Sequence, residues 1–187
     1  MGRIVVTEFV SLDGVVEDPG GSEGTSFGGW AFKFDRGEEG NKFKVDELMA
    51  ADAQLLGRVT YEGFAAAWPE RTGDPFSDKM NTMPKYVFSN TLTEASWENS
   101  HIVSGDFAQE ISKLRDEVGD LLVAGSVQLV NGLTEHDLVD EYRLMVYPTI
   151  LGQGKRLFAD GAQASLKLVE AKPAADTLLL TYHRAAE

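Results

Sequence analysis

The fold is decided by the stretch Asp137-Leu-Val-Asp-Glu-Tyr-Arg-Leu-Met-Val-Tyr-Pro-Thr-Ile-Leu-Gly-Gln-Gly-Lys-Arg-Leu-Phe158, in which a strand pattern runs directly into a glycine-punctuated turn. Apolar residues alternate with others over 142–147, a pattern typical of a buried strand. Because proline has no N–H for a sheet hydrogen bond, Pro148 predicts the end of that strand or an edge of the sheet. Gly152 and Gly154 allow backbone angles that other residues resist, so a turn is expected next.

The composition sets the broad class of the protein. A length of 187 residues, with 43% hydrophobic and 25% charged residues, predicts a single domain over residues 1–187 with a continuous core. The 17 Lys and Arg residues against 30 Asp and Glu residues give a formal net charge of -13. Such a surface repels phosphate backbones and anionic membranes, which argues against nucleic acid and membranes as partners. The absence of cysteine excludes disulfides and thiolate chemistry, and the widely separated histidines predict no metal site.

The N-terminus and the hydropathy of the chain bear on its location. Residues 1–10 lack a long apolar segment followed by a small-residue cleavage site, so they predict a first strand rather than a signal peptide. No apolar run approaches the length of a transmembrane helix. The predicted location is therefore the cytoplasm.

Strand and helix patterns alternate along the chain, which predicts an α/β fold with a mostly parallel sheet. The last two strand patterns have no helix between them, so an antiparallel hairpin is expected to finish the sheet. Residues 11–29 are rich in Gly, Asp and Ser and predict a long mobile loop, with a possible lid at 18–29. The predicted strands are 3–10, 53–56, 85–88, 101–103, 120–124, 142–147, 166–170 and 178–183, and the predicted helices are 37–50, 60–67, 107–118 and 126–133.

The segment Leu55-Leu-Gly-Arg-Val-Thr-Tyr-Glu62 joins an apolar strand to a helix through Gly57 and Arg58. The first turn of a helix presents free backbone N–H groups and the positive end of the helix dipole, which together favour an anion. A guanidinium at this position suits phosphate oxygens. On the residues alone, two interpretations stay open: a phosphate site, or a glycine turn followed by a solvated arginine.

Two further strand ends carry small polar residues. In Leu121-Leu-Val-Ala-Gly-Ser-Val-Gln128, Gly125 permits the close approach of a pyrophosphate, and Ser126 can cap the helix or donate to phosphate. An ordinary strand–helix turn with a serine cap is the alternative. Tyr86-Val-Phe-Ser-Asn90 ends in two short polar side chains that suit a ribose or a 2′-phosphate, or a plain turn.

Candidate substrate contacts follow the first strand and end the late one. In Ser11-Leu-Asp-Gly14, Asp13 is placed to accept a hydrogen bond from an amino-bearing heterocycle, or to bond its own turn. Trp30 is a candidate to cover a flat ligand, and Tyr147 lies in the stretch quoted at the outset. No residue stands out as a proton donor, so the catalytic group is not predicted.

Together these segments resemble the dihydrofolate-reductase-like superfamily, and within it the branch that contains the reductase domain of riboflavin-biosynthesis deaminase-reductases. The resemblance covers nearly the whole chain. It implies a three-layer α/β fold with a mixed, mostly parallel sheet, NADPH as the cofactor and a homodimer. The expected cofactor contacts are Gly57, Arg58, Thr60, Ser89, Asn90, Gly125, Ser126 and Val127, and the expected substrate contacts are Asp13, Trp30 and Tyr147.

The chain departs from this branch at two places. The riboflavin-pathway reductases usually carry Glu where Ala124 stands, and Lys shortly after the glycine that corresponds to Gly14, where this chain has Val15 and Val16. The predicted function is therefore NADPH-dependent reduction of a small pterin-, pyrimidine- or flavin-like heterocycle other than the riboflavin-pathway substrate. Two alternatives stay open: a true dihydrofolate reductase, and a non-catalytic NADP(H)-binding or interaction protein.

Overall fold

The computed structural model describes residues 1–185, and its strands and helices alternate as the sequence predicts. The eight strands are β1 (Ile4–Ser11), β2 (Ala53–Gly57), β3 (Lys85–Phe88), β4 (Ser100–Val103), β5 (Leu121–Val123), β6 (Glu141–Tyr147), β7 (Leu166–Ala174) and β8 (Thr177–Arg184). The helices are α1 (Gly37–Ala50), α2 (Arg58–Ala67), α3 (Pro75–Thr82), α4 (Phe107–Val118) and α5 (Val127–Glu135), with a 3₁₀ turn at Trp30–Lys33.

All eight strands form one sheet in the order β4-β3-β2-β5-β1-β6-β8-β7. The six strands from β4 to β6 are mutually parallel, whereas β8 runs antiparallel to both β6 and β7. The mixed, mostly parallel sheet and its antiparallel C-terminal hairpin are thus confirmed. The parallel strands all end at the same edge of the sheet, so the loops that follow them gather there.

The helices cover both faces of the sheet. Successive strand residues point to opposite faces, and Leu55 and Leu56, both fully buried, enter different core clusters. Leu56 packs with α1, α2 and α3 through residues such as Leu48, and Leu55 packs with α4 and α5 through residues such as Ile111. The result is the three-layer arrangement that the resemblance implies.

Helix α3 is the element that no sequence pattern above predicts. It spans eight residues, too few for an apolar period to be recognised. Its local start signals are nevertheless strong: the Asp74 carboxylate accepts from the N–H groups of Phe76 and Ser77 at 3.0 Å, and Pro75 occupies the first helical position. Strand β7 also runs four residues beyond its predicted end and includes Pro173, which an edge strand tolerates.

A buried lysine joins α3 to β3. Lys85 is 0% exposed, and its Nζ donates to the backbone oxygens of Asn81 (2.7 Å), Met83 (2.9 Å) and Glu98 (3.0 Å). The ammonium also lies 4.1 Å from the centre of the Trp97 ring. Through these contacts, the Lys85 ammonium links the C-terminal turn of α3 to the loop before β4.

The loop after β1 is extensively hydrogen-bonded. Asp18, 1% exposed, accepts from the N–H groups of Glu23 (2.9 Å) and Thr25 (3.0 Å) and from the Thr25 hydroxyl (2.8 Å). The structure therefore gives the predicted lid at 18–29 an internal anchor. Among residues 1–185, no helix combines the length and apolarity needed to cross a bilayer.

Candidate functional site

The turns that follow two neighbouring parallel strands, β2 and β5, meet at the carboxyl edge of the sheet, and we refer to this region as the crevice. From β2 the chain turns into α2 on one face of the sheet, and from β5 it turns into α5 on the other. Because the two connections leave in opposite directions, the strand ends flank a topological switch point, which is where open α/β sheets bind ligands.

The two turns at this crevice are in contact. A Cβ atom on Gly57 would lie 2.2 Å from Ser126 Oγ and 2.9 Å from Ser126 Cβ, and the Gly57 N–H donates to the Gly125 oxygen at 3.5 Å. Gly125 has a φ of +93°, and a Cβ there would lie 2.8 Å from Thr60 Oγ1. Four predicted cofactor contacts are therefore adjacent, and both glycines are buried because the side chains of Ser126 and Thr60 fill the space that a Cβ atom would need.

The N-terminus of α2 has unused hydrogen-bonding capacity. Its N-cap residue, Gly57, provides no side-chain cap, and its first turn has no acidic residue. The first N–H groups of the helix therefore keep their capacity to bind an anion. At α5, by contrast, Ser126 Oγ accepts from the Leu129 N–H, at a long 3.5 Å.

Arg58 is the first residue of α2, and its side chain is 44% exposed. The guanidinium forms an ion pair with Glu62 one turn later, at 2.9 Å. An exposed pair of this kind contributes little to stability, so an incoming phosphate can replace the carboxylate at small cost.

The remaining predicted cofactor contacts lie at the margins of the crevice. Ser89 follows β3, the neighbour of β2, and is 7% exposed. Its Oγ accepts from the N–H groups of Leu92 (3.0 Å) and Thr91 (3.2 Å) and so organises its own turn. Asn90 is exposed, and Val127 is half-buried in the first turn of α5.

Asp13 bridges two loops. Its carboxylate accepts from the Ser11 hydroxyl at 2.6 Å and from the N–H groups of Gly152 (2.8 Å) and Leu151 (3.1 Å) in the turn after β6. The hydrogen bond from Ser11, followed by that from Gly152, lowers the pKa of Asp13 to about 2. The carboxylate thus fixes the turn quoted at the outset, and its contact with a substrate stays a prediction.

Trp30 and Tyr147 lie in the core, at 1% and 2% exposure. Their rings meet edge to face with centroids 5.5 Å apart. The Trp30 indole N–H donates to the backbone oxygen of Glu17 at 2.9 Å, and the Tyr147 hydroxyl donates to Met145 Sδ at 3.2 Å. The structure brings the two rings together without exposing a face of either, and their role as substrate contacts stays a prediction.

Glu8 is a further candidate, and it is absent from the residues predicted above. The sequence signal is one acidic residue inside the apolar run Ile4–Val10. Its Oε1 atom is buried and has no hydrogen-bond partner within residues 1–185. Burial raises the pKa of the Glu8 carboxyl to about 8, so the group is mostly protonated at neutral pH.

Comparison with known proteins identifies a family model, two sequence relatives and a solved structure that resemble this chain over most of its length. The family model of the RibD C-terminal domain matches residues 3–180. The Bacillus subtilis protein YyaP, described as uncharacterized, is 28% identical over 189 residues, which cover 97% of this chain and 94% of YyaP. YwjB of the same organism, also uncharacterized, is 30% identical over 178 residues, 94% of each chain. The crystal structure of a putative riboflavin biosynthesis protein from Shewanella sp. PV-4 superposes with a TM-score of 0.79 at 23% identity, covering 98% of this chain and 99% of that one.

Proposed function

The chain belongs to the RibD C-terminal domain family, which contains NADPH-dependent reductases, and we propose that it reduces a small pterin-, pyrimidine- or flavin-like heterocycle with NADPH. One observation carries the proposal: the turns at Gly57 and Gly125 pack against each other beside the uncapped start of α2, and Arg58 is the first residue of that helix. This combination suits the diphosphate of a dinucleotide.

The residues of the crevice have distinct roles in this proposal. The first N–H groups of α2 and the Arg58 guanidinium hold phosphate, and the two glycines let the turns after β2 and β5 pack closely against each other. Asn90 is placed for the adenosine half beyond β3. When bound, the cofactor supplies a hydride, and the protein contributes orientation and the exclusion of water.

The surroundings of the substrate side support a substrate other than that of the riboflavin pathway. Val15 and Val16 stand where relatives of that pathway carry a lysine, and both are buried, at 0% and 5% exposure. Ala124 brings no polar group to the end of β5. Both polar features of the related pocket are therefore replaced by apolar side chains.

True dihydrofolate reductase activity requires a free buried acid on the first helix. Glu47 is the buried acid of α1, at 6% exposure, but its carboxylate accepts from the Thr7 hydroxyl (2.7 Å) and from Arg143 (3.1 Å) and pairs with Lys44. These partners occupy the group that this alternative needs, so the broader reductase proposal is preferred.

Calorimetric titration of the protein with NADPH and NADP⁺ tests the proposal directly. We expect saturable binding of NADPH, followed by its oxidation in the presence of at least one compound from a panel of pterins, pyrimidines and quinones. No heat of binding at cofactor concentrations of about 1 mM, where even weak sites bind, would reject the reductase function. Binding without oxidation across the whole panel would favour the non-catalytic alternative.

Arg58→Ala should weaken NADPH binding by about tenfold to 100-fold, because a charge-assisted contact with phosphate is lost. The matched control is Arg71→Ala, which removes an exposed arginine beyond the other end of α2 and should leave the affinity unchanged. Glu62→Gln should tighten binding severalfold, since it releases Arg58 from its ion pair. Equal affinities for the Arg58 variant, the control and the parent protein would show that Arg58 does not bind phosphate.

A further inference from the structure

Glu8 lies on β1, just beyond the point where β1 and β5 stop pairing. The pairing of β1 with β5 ends at Val6 and Val123, whereas β1 continues to Ser11 paired with β6 alone. Glu8 is two residues beyond the last β1–β5 pair, and β5 turns away through Gly125 immediately after Val123. Strand β1 is the neighbour of β5 on the side away from β2. Glu8 therefore lies on a strand next to the crevice.

Glu8 is half-buried, and its buried Oε1 atom differs from the carboxyl oxygens of the buried acids Glu47 and Asp18. Glu47 accepts hydrogen bonds from Thr7 and Arg143, and Asp18 accepts from its own loop, as described above. In the part of the chain that the structure describes, Glu8 Oε1 is the buried carboxyl oxygen that has no partner. An unsatisfied buried polar atom is uncommon in a native fold and calls for an explanation.

The charges around Glu8 explain why the group is protonated. Burial is the largest cause of the raised pKa of Glu8. The charge of Lys44 lowers this pKa, and the charges of Glu23 and Glu47 raise it, so that it reaches about 8. Lys44 provides little compensation, because its ammonium pairs with Glu47 and donates to the Thr7 hydroxyl. Glu8 therefore carries its proton at neutral pH and has an unused acceptor.

We propose that Glu8 is the proton donor of the substrate site and that it recognises a ring C=N bond bearing an amino group, as in 2-aminopyrimidines and 2-aminopterins. This inference rests on the proposed reductase function and names its substrate chemistry. A protonated carboxyl donates through O–H to the ring nitrogen and accepts an amino N–H on its other oxygen. The two hydrogen bonds satisfy both oxygens of Glu8.

The reaction balances with this single acid. The hydride leaves NADPH and forms a C–H bond at the carbon of the C=N bond, which gives NADP⁺. The π electrons of C=N form a new N–H bond with the Glu8 proton, and the Glu8 O–H bond breaks. Solvent then returns a proton to the carboxylate. The net change is the consumption of the C=N compound, NADPH and one proton, with the amine and NADP⁺ as products.

The first test concerns the protonation of Glu8 and needs no ligand. The folded-state pKa, about 8, lies above the value of 4.5 for an unperturbed glutamate. The stabilisation is therefore fully present below the lower value and is lost as pH rises through about 8. The denaturant midpoint of the parent protein should fall between about pH 6 and about pH 9 by more than that of Glu8→Gln, which resembles the protonated acid and does not titrate. Parallel pH profiles for the two proteins would contradict a raised pKa.

The second test uses 2,4-diaminopyrimidine as the probe, titrated calorimetrically into the protein saturated with NADP⁺. The probe should bind the parent protein at least about tenfold more tightly than it binds Glu8→Gln, because Glu8 can transfer its proton to the basic probe and form a charge-assisted pair, whereas the Gln amide forms only neutral hydrogen bonds. The affinity of the parent should fall above about pH 8, and that of the variant should not. Glu117→Gln, which changes an exposed acid on α4, is the control and should match the parent.

The outcomes separate the two proposals. Glu8→Gln should bind NADPH within about threefold of the parent, since Glu8 is assigned to the substrate. A parent protein that does not bind NADPH rejects the reductase function itself. Normal NADPH binding, combined with no probe binding to the parent or with equal probe affinity in parent and Glu8→Gln, overturns the role of Glu8 and leaves the reductase function standing.

Discussion

Gly57→Ala is expected to weaken NADPH binding by about 100-fold, the equivalent of roughly 2.7 kcal/mol. The added Cβ would lie 2.9 Å from Ser126 Cβ and 3.2 Å from the Ser126 backbone nitrogen, and rotation of the serine side chain relieves neither contact. The ends of β2 and β5 must therefore move apart, and overpacking of this kind costs about 1–3 kcal/mol. Calorimetry with NADPH measures the affinity, and denaturant unfolding measures the change in stability.

Gly63→Ala is the matched control for this substitution. Gly63 lies in the same helix, α2, and a Cβ there meets no atom within 4 Å. Alanine in a helix interior is favoured over glycine by about 0.5–1 kcal/mol, so the control should be slightly more stable and bind NADPH normally. If Gly57→Ala also retains normal affinity, the contact between the two turns does not shape the cofactor site.

Lys85→Met should lower the free energy of unfolding by about 1–3 kcal/mol, the range found when a buried polar group loses its hydrogen-bond partner. The substitution keeps most of the apolar stem and removes the donor shared by the backbone oxygens of Asn81, Met83 and Glu98. Those oxygens are then left with a desolvation cost and no compensating hydrogen bond. Urea unfolding followed by circular dichroism measures the difference.

The pH dependence of this difference gives a second readout. Burial lowers the pKa of Lys85 from 10.5 to about 8, so between these values the unfolded chain binds more protons than the folded one. The stability of the parent should therefore rise with pH across this interval relative to that of Lys85→Met. The exposed Lys113→Met is the control and should change stability by no more than about 0.5 kcal/mol. A Lys85 variant that resembles this control would show that the carbonyl contacts contribute nothing.

Local patterns were sufficient to predict most of the fold and one wall of the site. The strand–glycine–helix order at Gly57 and at Gly125 is visible in a few consecutive residues, and parallel strands necessarily end at the same edge. Their adjacency follows from the strand order, in which β2 and β5 are neighbours although the 63 residues 58–120 lie between them in the sequence. Periodicity along the chain does not give that order.

The substrate side depends on contacts between residues that are distant in the sequence. The carboxylate of Asp13 is held by N–H groups 138 and 139 residues later, at Leu151 and Gly152. The burial of Trp30 against Tyr147 likewise arises only when the loop after β1 meets β6. In the sequence, Glu8 is a single charged residue within an apolar strand. Its position beyond the last β1–β5 pair is known only once the end of β5 is known. Such features follow from tertiary packing and have no short-range signature.

The anchoring of the loop by Asp18 affects the thermodynamics of ligand binding. A segment that orders only around its ligand loses conformational entropy at that moment, and the affinity falls accordingly. Here the carboxylate of Asp18 holds Glu23 and Thr25 in the ligand-free fold. The entropy of ordering this part of the loop is lost during folding, so a ligand that contacts these residues would lose less conformational entropy on binding.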